Sequence, residues 1–462
     1  MPIDGETYRR VAWLEAFLLF LNTPFLLFPT TFPIVTAVAL LLLVGGWLVC
    51  WRLVAFPLRS TPFNVAFLAF ACMLLVGILV SADPDLTLPK ATGMILALAA
   101  WRYLSFYMQS QRLIWLAFLV FAVVGLGMIG LGVLSADWRF RVGFVEALFQ
   151  RLPPQLVNLP GTTEAGVHTN QLSGTLLFYI TLPLAFLLDR TEFHSKRVIL
   201  LSSLAALLVL GALLLLTQSR SAWMGTVGGV GFLLFAWLFL KTENQARRRL
   251  LWLGLLASLL VVALLLVLLW PTLVAALYVD LPESTPIGTL QTLRFRYEIW
   301  RWAVPAIGDF PFTGTGLGTF RRVVSRLYPI YYSTDIAHAH NVFLQVALDV
   351  GLPGLVSYLS ILYIAFFGAY RVAKSDLQLR PLVLGLISGL VAFHGYGLTD
   401  ALALGSKSAI ALWLAVGILS AAWLTVEPRS CGFSRSSAEA VTMNNERAVR
   451  LQNNQYGTEN TT

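Results

Sequence analysis

LLWLGLLASLLVVALLLVLL, residues Leu250 to Leu269, contains no charge. At about 1.5 Å of rise per residue it covers the ~30 Å hydrocarbon core of a bilayer. Val198–Leu216 is a second such run. Where no water can take up backbone hydrogen bonds, an uninterrupted apolar run must be a helix. Of the 462 residues, 58% are hydrophobic and only 12% charged. A soluble domain carries roughly a quarter charged residues. Lipid is the solvent this composition implies.

Working outward from those runs, spans are expected near 11–32, 33–50, 62–81, 87–108, 112–134, 171–189, 198–217, 221–240, 250–270, 353–372, 381–398 and 406–426. The reading is an all-α polytopic transmembrane bundle of about twelve spans. Residues 1–426 form one transmembrane domain, with loops near 135–170 and 271–340. Residues 427–462, rich in Ser, Asn, Glu and Arg, are expected to be a disordered tail. The first segment carries Glu15 and no small-residue cleavage pattern, so a removable leader is not expected. Cys50 and Cys72 fall within spans and Cys431 in the tail, which suggests neither a disulfide framework nor a metal cluster.

The net charge of +9 invites a nucleic-acid reading, but its distribution favours positive-inside bias. With the N-terminus in the cytoplasm, 20 of the 32 Lys and Arg lie inside, among them Arg247–Arg249 and Lys196–Arg197. Both termini are then cytoplasmic and both large loops external. No repeat of 20–50 residues appears, and the halves lack the matched Gly/Pro-broken spans of an inverted-repeat transporter.

Three stretches carry residues suited to chemistry. His338-Ala339-His340-Asn341 holds two of the chain's five histidines where the long loop re-enters the membrane, followed nine residues later by Gly351-Leu352-Pro353-Gly354. An imidazole there can act as base or donor near neutral pH. The Gly-Leu-Pro-Gly step reads as the start of a helix. The bland alternative is a pair of interfacial histidines satisfied by carbonyls. Arg220, in Thr217-Gln218-Ser219-Arg220-Ser221, is the only charge between Val198 and Leu240, and snorkelling to headgroups explains it equally well. Arg294, Arg296 and Arg301 cluster in one helical stretch, with Arg294 and Arg301 sharing a face and Arg296 pointing elsewhere. Guanidinium forks suit phosphate oxygens. A helix lying on anionic lipid, with Trp300 and Trp302 at the interface, is the rival reading. The Gly-rich Phe310–Phe320 lacks the Gly-Lys-Ser/Thr ending and a preceding strand, so it reads as a tight structural turn.

These blocks resemble the bacterial O-antigen ligase and polymerase family of membrane glycan transferases. Arg220 fits its Ser-Arg motif after a long apolar span, and Arg296 with Trp300 its Arg-x-x-x-Trp element. Pro311 to Phe320 fits its Gly-rich element, and His340-Asn341 with Gly351 and Gly354 the signature of its ligase branch. The close matches cover about 140 residues; elsewhere only hydropathy and span count agree.

The resemblance implies a fold like that of the C-type glycosyltransferases in a bacterial inner membrane, with the site on the extracytoplasmic side. It implies transfer of an oligo- or polysaccharide from a polyprenyl-pyrophosphate donor to a sugar hydroxyl of a glycan or glycolipid acceptor, without metal or cofactor. His340, Arg220 and Arg296 would be catalytic; Arg294, Arg301, His338 and Asn341 would bind substrate. Membrane lipid is an expected partner and nucleic acid is not. No outward acidic cluster resembles a metal site, although Asp309 and Asp335 lie in the same loop. A repeat-unit polymerase is the alternative within the family. A small-anion transporter, bicarbonate-like, and a non-catalytic scaffold are the alternatives outside it. Transport would favour ionisable groups near the bilayer midplane.

Overall fold

The computed structural model describes residues 5–56, 58–138, 167–189, 196–277, 291–329 and 336–427. They form helices α1 (Gly5–Leu27), α2 (Pro33–Leu53), α3 (Phe63–Leu79), α4 (Pro84–Tyr107) and α5 (Gln111–Ser135). A two-residue parallel pair follows, β1 (Ala136–Asp137) with β2 (Val167–His168). Then come α6 (Thr169–Leu188), α7 (Lys196–Leu216), α8 (Arg220–Lys241), α9 (Gln245–Leu277), α10 (Gln291–Asp309), α11 (Phe320–Leu327), α12 (Val342–Ser375), α13 (Arg380–Tyr396) and α14 (Ile410–Val426). The expected tail from 428, Cys431, Asp335 and most of the 135–170 loop lie outside the described residues.

Nine helices among the described residues are long and apolar enough to cross a membrane: α1, α2, α5 to α9, α12 and α14, the last with the short turn before it. The chain is an all-α polytopic membrane protein. Three more helices, α3, α4 and α13, coincide with expected spans at 62–81, 87–108 and 381–398. At 17 residues α3 and α13 are short, and α4 carries Asp85, Lys90 and Arg102.

Burial grades from the centre outward. Of the apolar windows of α6 and α14, 72% is buried in protein, whereas none of α9's is. Helix α13 packs on α6 and α8, α12 on α3, and α14 on α4. The α9 surface is leucine and valine on every side, as a helix facing lipid should be. Gly225 and Gly229 of α8 allow the close approach to α13: a Cβ on Gly225 would sit 2.4 Å from the Ala392 carbonyl oxygen.

Charges within the bundle are paired. Glu15 meets Arg102, and Tyr107 Oη donates to Glu15 at 3.0 Å. Asp189 lies 2.9 Å from Arg380 and 3.5 Å from Lys241, tying α6, α8 and α13 together at one end. His394 is held between Tyr358 Oη at 2.7 Å and the Leu390 carbonyl at 2.6 Å.

One element departs from expectation. The tenth span is expected at 353–372, whereas helix already begins at Val342, capped by Asn341, whose Oδ1 accepts from Phe343 N and Leu344 N. Gly351, at φ 74°, then breaks the helix in two. The Gly-Leu-Pro-Gly step thus begins the second of the two helical pieces, as its reading as a helix start expects, and Val342–Val350 is an additional piece before it.

Candidate active site

The end of the bundle opposite Asp189 gathers the starts of α6, α8 and α12 with the loop after α13. Two stretches of backbone meet there. In the Gly-rich turn, Gly314 at φ 67° brings its backbone so close to Leu348 that a Cβ would lie 2.4 Å from that carbonyl oxygen. Thr315 N donates to the same oxygen at 2.6 Å, Leu352 N to Pro311 O at 2.7 Å and Gly318 N to Asp349 Oδ1 at 2.8 Å. Phe310–Phe320 is thus a clasp closed on α12, in keeping with its reading as a structural turn.

The second stretch is His338-Ala339-His340. His340 has φ 49°, in the left-handed region that non-glycine residues seldom enter, at a cost of order 1–3 kcal/mol. It is pinned on both flanks. On one side, Trp300 Nε1 donates to the Ala339 carbonyl at 3.0 Å. On the other, Val342 N donates to Gly397 O at 2.7 Å and Asn341 Nδ2 to Leu398 O at 3.0 Å. Trp300 therefore faces the protein rather than a lipid interface. The amphipathic-helix reading of α10 covers only its outer face, where Arg301 pairs with Glu298 at 3.4 Å and Arg294 is exposed.

At the centre sits Asp400, a residue sequence reasoning missed. It is 2% exposed, and its carboxylate draws together four elements. Oδ1 lies 3.3 Å from His340 Nδ1 and accepts from Ala401 N at 2.9 Å. Oδ2 accepts from Asn170 Nδ2 at 2.7 Å and faces Arg296 at 3.5 Å. Tyr396 Oη donates to the Asn170 carbonyl at 3.0 Å, fixing the start of α6 beside the site. The available signal was that Asp400 is the only carboxylate between Asp376 and Glu427, placed where a span ends.

The electrostatics follow from these contacts. Burial by itself would raise the Asp400 carboxyl. The His340 hydrogen bond, the two imidazoles and the Arg296 guanidinium outweigh it and hold the group well below the usual carboxylate range. Close packing, reinforced by His340, lowers His338 from 6.5 to about 3, so its ring is neutral and its Nδ1 accepts from His340 N at 3.2 Å. An ionised carboxylate only accepts, so in the neutral His340 ring the proton sits on Nδ1 and Nε2 keeps its lone pair. The His338 and His340 rings lie 4.1 Å apart, and Phe295 packs edge-on against His340 at 5.5 Å.

Of the expected site residues, His338, His340, Asn341 and Arg296 converge here. Arg220 joins from the first turn of α8, donating to Thr292 Oγ1 at 2.7 Å, one helical turn before Arg296 on α10. Arg301 is directed away. Arg296 is largely buried, and its Nε lacks a hydrogen-bond partner among the described residues, a donor that an incoming acceptor would satisfy.

His338, His340 and Asp400 also bring one possible metal-ligand atom each within 4.8 Å of one another. Asp400 already serves His340, Asn170, Ala401 and Arg296, and a dication would meet the adjacent guanidinium. Asp309, the other carboxylate considered, accepts from Tyr328 Oη instead.

No curated protein matches the chain. Residues 204–359 match the family model described as O-Antigen ligase, a stretch that holds Arg220, Arg296, the Gly-rich turn, His338, His340 and the helix break. Over this stretch, about a third of the chain, the protein is similar to that family.

Proposed function

We propose that the protein is a metal-independent glycan transferase of a bacterial inner membrane, with both termini cytoplasmic and its site on the extracytoplasmic side. It moves an oligo- or polysaccharide from a polyprenyl-pyrophosphate donor to a sugar hydroxyl of a glycan or glycolipid acceptor, in the manner of an O-antigen ligase. The family domain implies glycan transfer of the ligase or polymerase type by a glycosyltransferase-like enzyme working on lipid-linked glycans. The resemblance of His340-Asn341 and Gly351–Gly354 to the ligase branch favours the ligase.

One observation carries the mechanism: the buried Asp400 carboxylate meets His340 on one oxygen and Arg296 on the other. That arrangement sets a base nitrogen beside a guanidinium with donors to spare. The acceptor hydroxyl oxygen attacks the anomeric carbon of the donor sugar while its proton passes to His340 Nε2. The bond from that carbon to the pyrophosphate oxygen breaks, and its electron pair leaves with the polyprenyl pyrophosphate. Arg296 and Arg220 stabilise the charge that develops there. Asp400 holds the imidazole in the tautomer the step requires, as an orienting acid does in other His-based sites.

The partnered state of the intramembrane charges supports an enzyme over a transporter. Glu15 is matched by Arg102, and His394 by Tyr358 and Leu390. Neither has the character of a group poised to bind a passing ion.

The test is transfer by the purified protein in proteoliposomes, from a polyprenyl-pyrophosphate glycan to a glycolipid acceptor, with EDTA present. Activity should persist in EDTA. His340→Ala should lower it by about two to four orders of magnitude, the usual contribution of a positioned base. Arg296→Lys and Arg220→Lys should also be strongly impaired, since an ammonium keeps the charge but loses the fork. Normal transfer by both His340→Ala and Arg296→Ala would end this assignment. Loss in EDTA restored by Mg2+ or Mn2+ would make the His338–His340–Asp400 cluster a metal site instead.

A further inference from the structure

Beneath the His338–His340 turn lies a buried side-chain chain with no part in the chemistry just described. Gln345, on the first turn of α12, is 2% exposed. Its Oε1 accepts from Ala339 N at 2.8 Å, and its Nε2 donates to Asp349 Oδ1, one turn further along, at 2.9 Å. That same Asp349 oxygen accepts from Gly318 N at 2.8 Å. A main-chain N–H can only donate, so the Gln345 amide has one orientation: oxygen toward the turn, nitrogen toward Asp349. Ala339 is fully buried, so no water can replace this acceptor.

The turn needs such an anchor because His340 is left-handed, and a strained residue persists only where its neighbours over-determine it. The Trp300 bond grips the Ala339 carbonyl and the Val342 bond the far flank. Gln345 alone grips the Ala339 N–H, the peptide linking the two histidines. Through Asp349 and Gly318 it also locks the turn to the Gly-rich clasp.

We propose that Gln345 is a positioning residue for the proposed reaction: it sets the His340 backbone so that the imidazole stays against Asp400, with Asp349 aligning the Gln345 amide. This rests on the reading of His340 as the base, so the experiment keeps the two apart.

Full-length Gln345→Leu and Gln345→Glu are compared with the unaltered protein in three measurements: thermal stability, steady-state transfer, and the rate at which diethyl pyrocarbonate modifies His340, read by mass spectrometry. The third does not depend on activity. Gln345→Leu should change the modification rate and lower kcat by about 10- to 100-fold, the scale on which a small displacement of a reacting group is felt, with KM for the donor unchanged. In a His340→Ala background the same change should cause no further loss, because both act through one group. Relative to the unaltered protein at the same pH, Gln345→Glu should recover as pH falls, when a protonated carboxyl can donate to Asp349 as the amide does. An unchanged modification rate in Gln345→Leu, or an equal further loss in the His340→Ala background, would overturn the proposal. Should His340→Ala transfer normally while Gln345→Leu still alters the modification rate, the positioning role stands and the base assignment falls.

Discussion

Asp400 serves His340, Arg296, Asn170 and the Ala401 amide with two oxygens, and no isosteric residue can do the same. In Asp400→Asn one oxygen becomes an NH2 that must face a donor, and Arg296 loses its counter-charge in a buried setting. Truncating one member of such a pair typically costs about 3–5 kcal/mol locally. Asp400→Asn should therefore lower transfer by about two to four orders of magnitude, as loss of the base itself does. Wild-type rates from that variant at matched expression would remove Asp400 from the site. The same cluster makes the protein acid-sensitive in a defined window. The unfolded chain binds a proton on His338 at about 6.5, but the native ring binds one only at about 3. Between those values the unfolded state holds more protons, so stability falls as pH drops through the window and is full above it. The Asp400 carboxyl is also depressed, so its contribution persists above the usual carboxylate range and disappears only as pH falls through its lowered native value. Melting temperature should be level above about pH 7 and decline below 6.5, with a shallower decline in His338→Asn; an identical slope in that variant would rule this out. His340 and Arg296, picked out in the sequence by motif and residue chemistry together, lie side by side against Asp400. Asp400 itself was not legible there, because its role depends on three partners 60 to 230 positions away.

At the scale of elements, the break in α12 shows why the site could be read only in part. Val342–Val350 lies just before the expected span at 353–372 and carries Gln345 and Asp349, polar residues that argue against a buried helix. In the fold both are satisfied, by Ala339 and by Gly318, and the Asn341 cap starts the helix ten residues before Leu352. Gly351 then turns the chain at φ 74°, where a Cβ would sit 2.3 Å from the Phe312 carbonyl oxygen. Backbone strain and collision act together there. Gly351→Ala should destabilise the protein by about 1–3 kcal/mol or more and depress transfer along with it. Gly211→Ala, on α7 with open space around the glycine, should be neutral or slightly stabilising. Equal melting temperatures for the two variants would show that the Gly-rich clasp is slack. The clasp itself was read correctly as structural, since its lack of a phosphate-loop ending is a local property of the sequence.

For the molecule as a whole, hydropathy carried most of the information, because the lipid-facing helices are defined by length and apolarity alone. Nine helices satisfy those criteria directly, and α3, α4 and α13 occupy the remaining expected positions. What hydropathy does not give is direction, and here charge decides. Short connections are flanked by Lys196-Arg197 at the start of α7 and by Arg247–Arg249 at the start of α9. Lys and Arg near span ends set orientation far more strongly than those in long loops, so these two clusters should face the cytoplasm. The structure adds a constraint independent of charge counting: Asp189, Lys241 and Arg380 meet at one end of the bundle, while Asp400, His340, Arg296 and Arg220 gather at the other. Lys241 closes α8 just before the Arg247–Arg249 cluster, so the Asp189 end should be cytoplasmic and the His340 end external. Alkaline phosphatase fused after residue 300, within α10 beside the site, should be active, because the enzyme matures only outside the cytoplasm. Fused after residue 430, beyond α14, it should be inactive, and a fusion after Thr242, between α8 and α9, should match it. Activity from the Thr242 fusion together with silence after residue 300 would invert the whole bundle. The transfer site would then open to the cytoplasm, where the donor glycan proposed here is not expected to be presented.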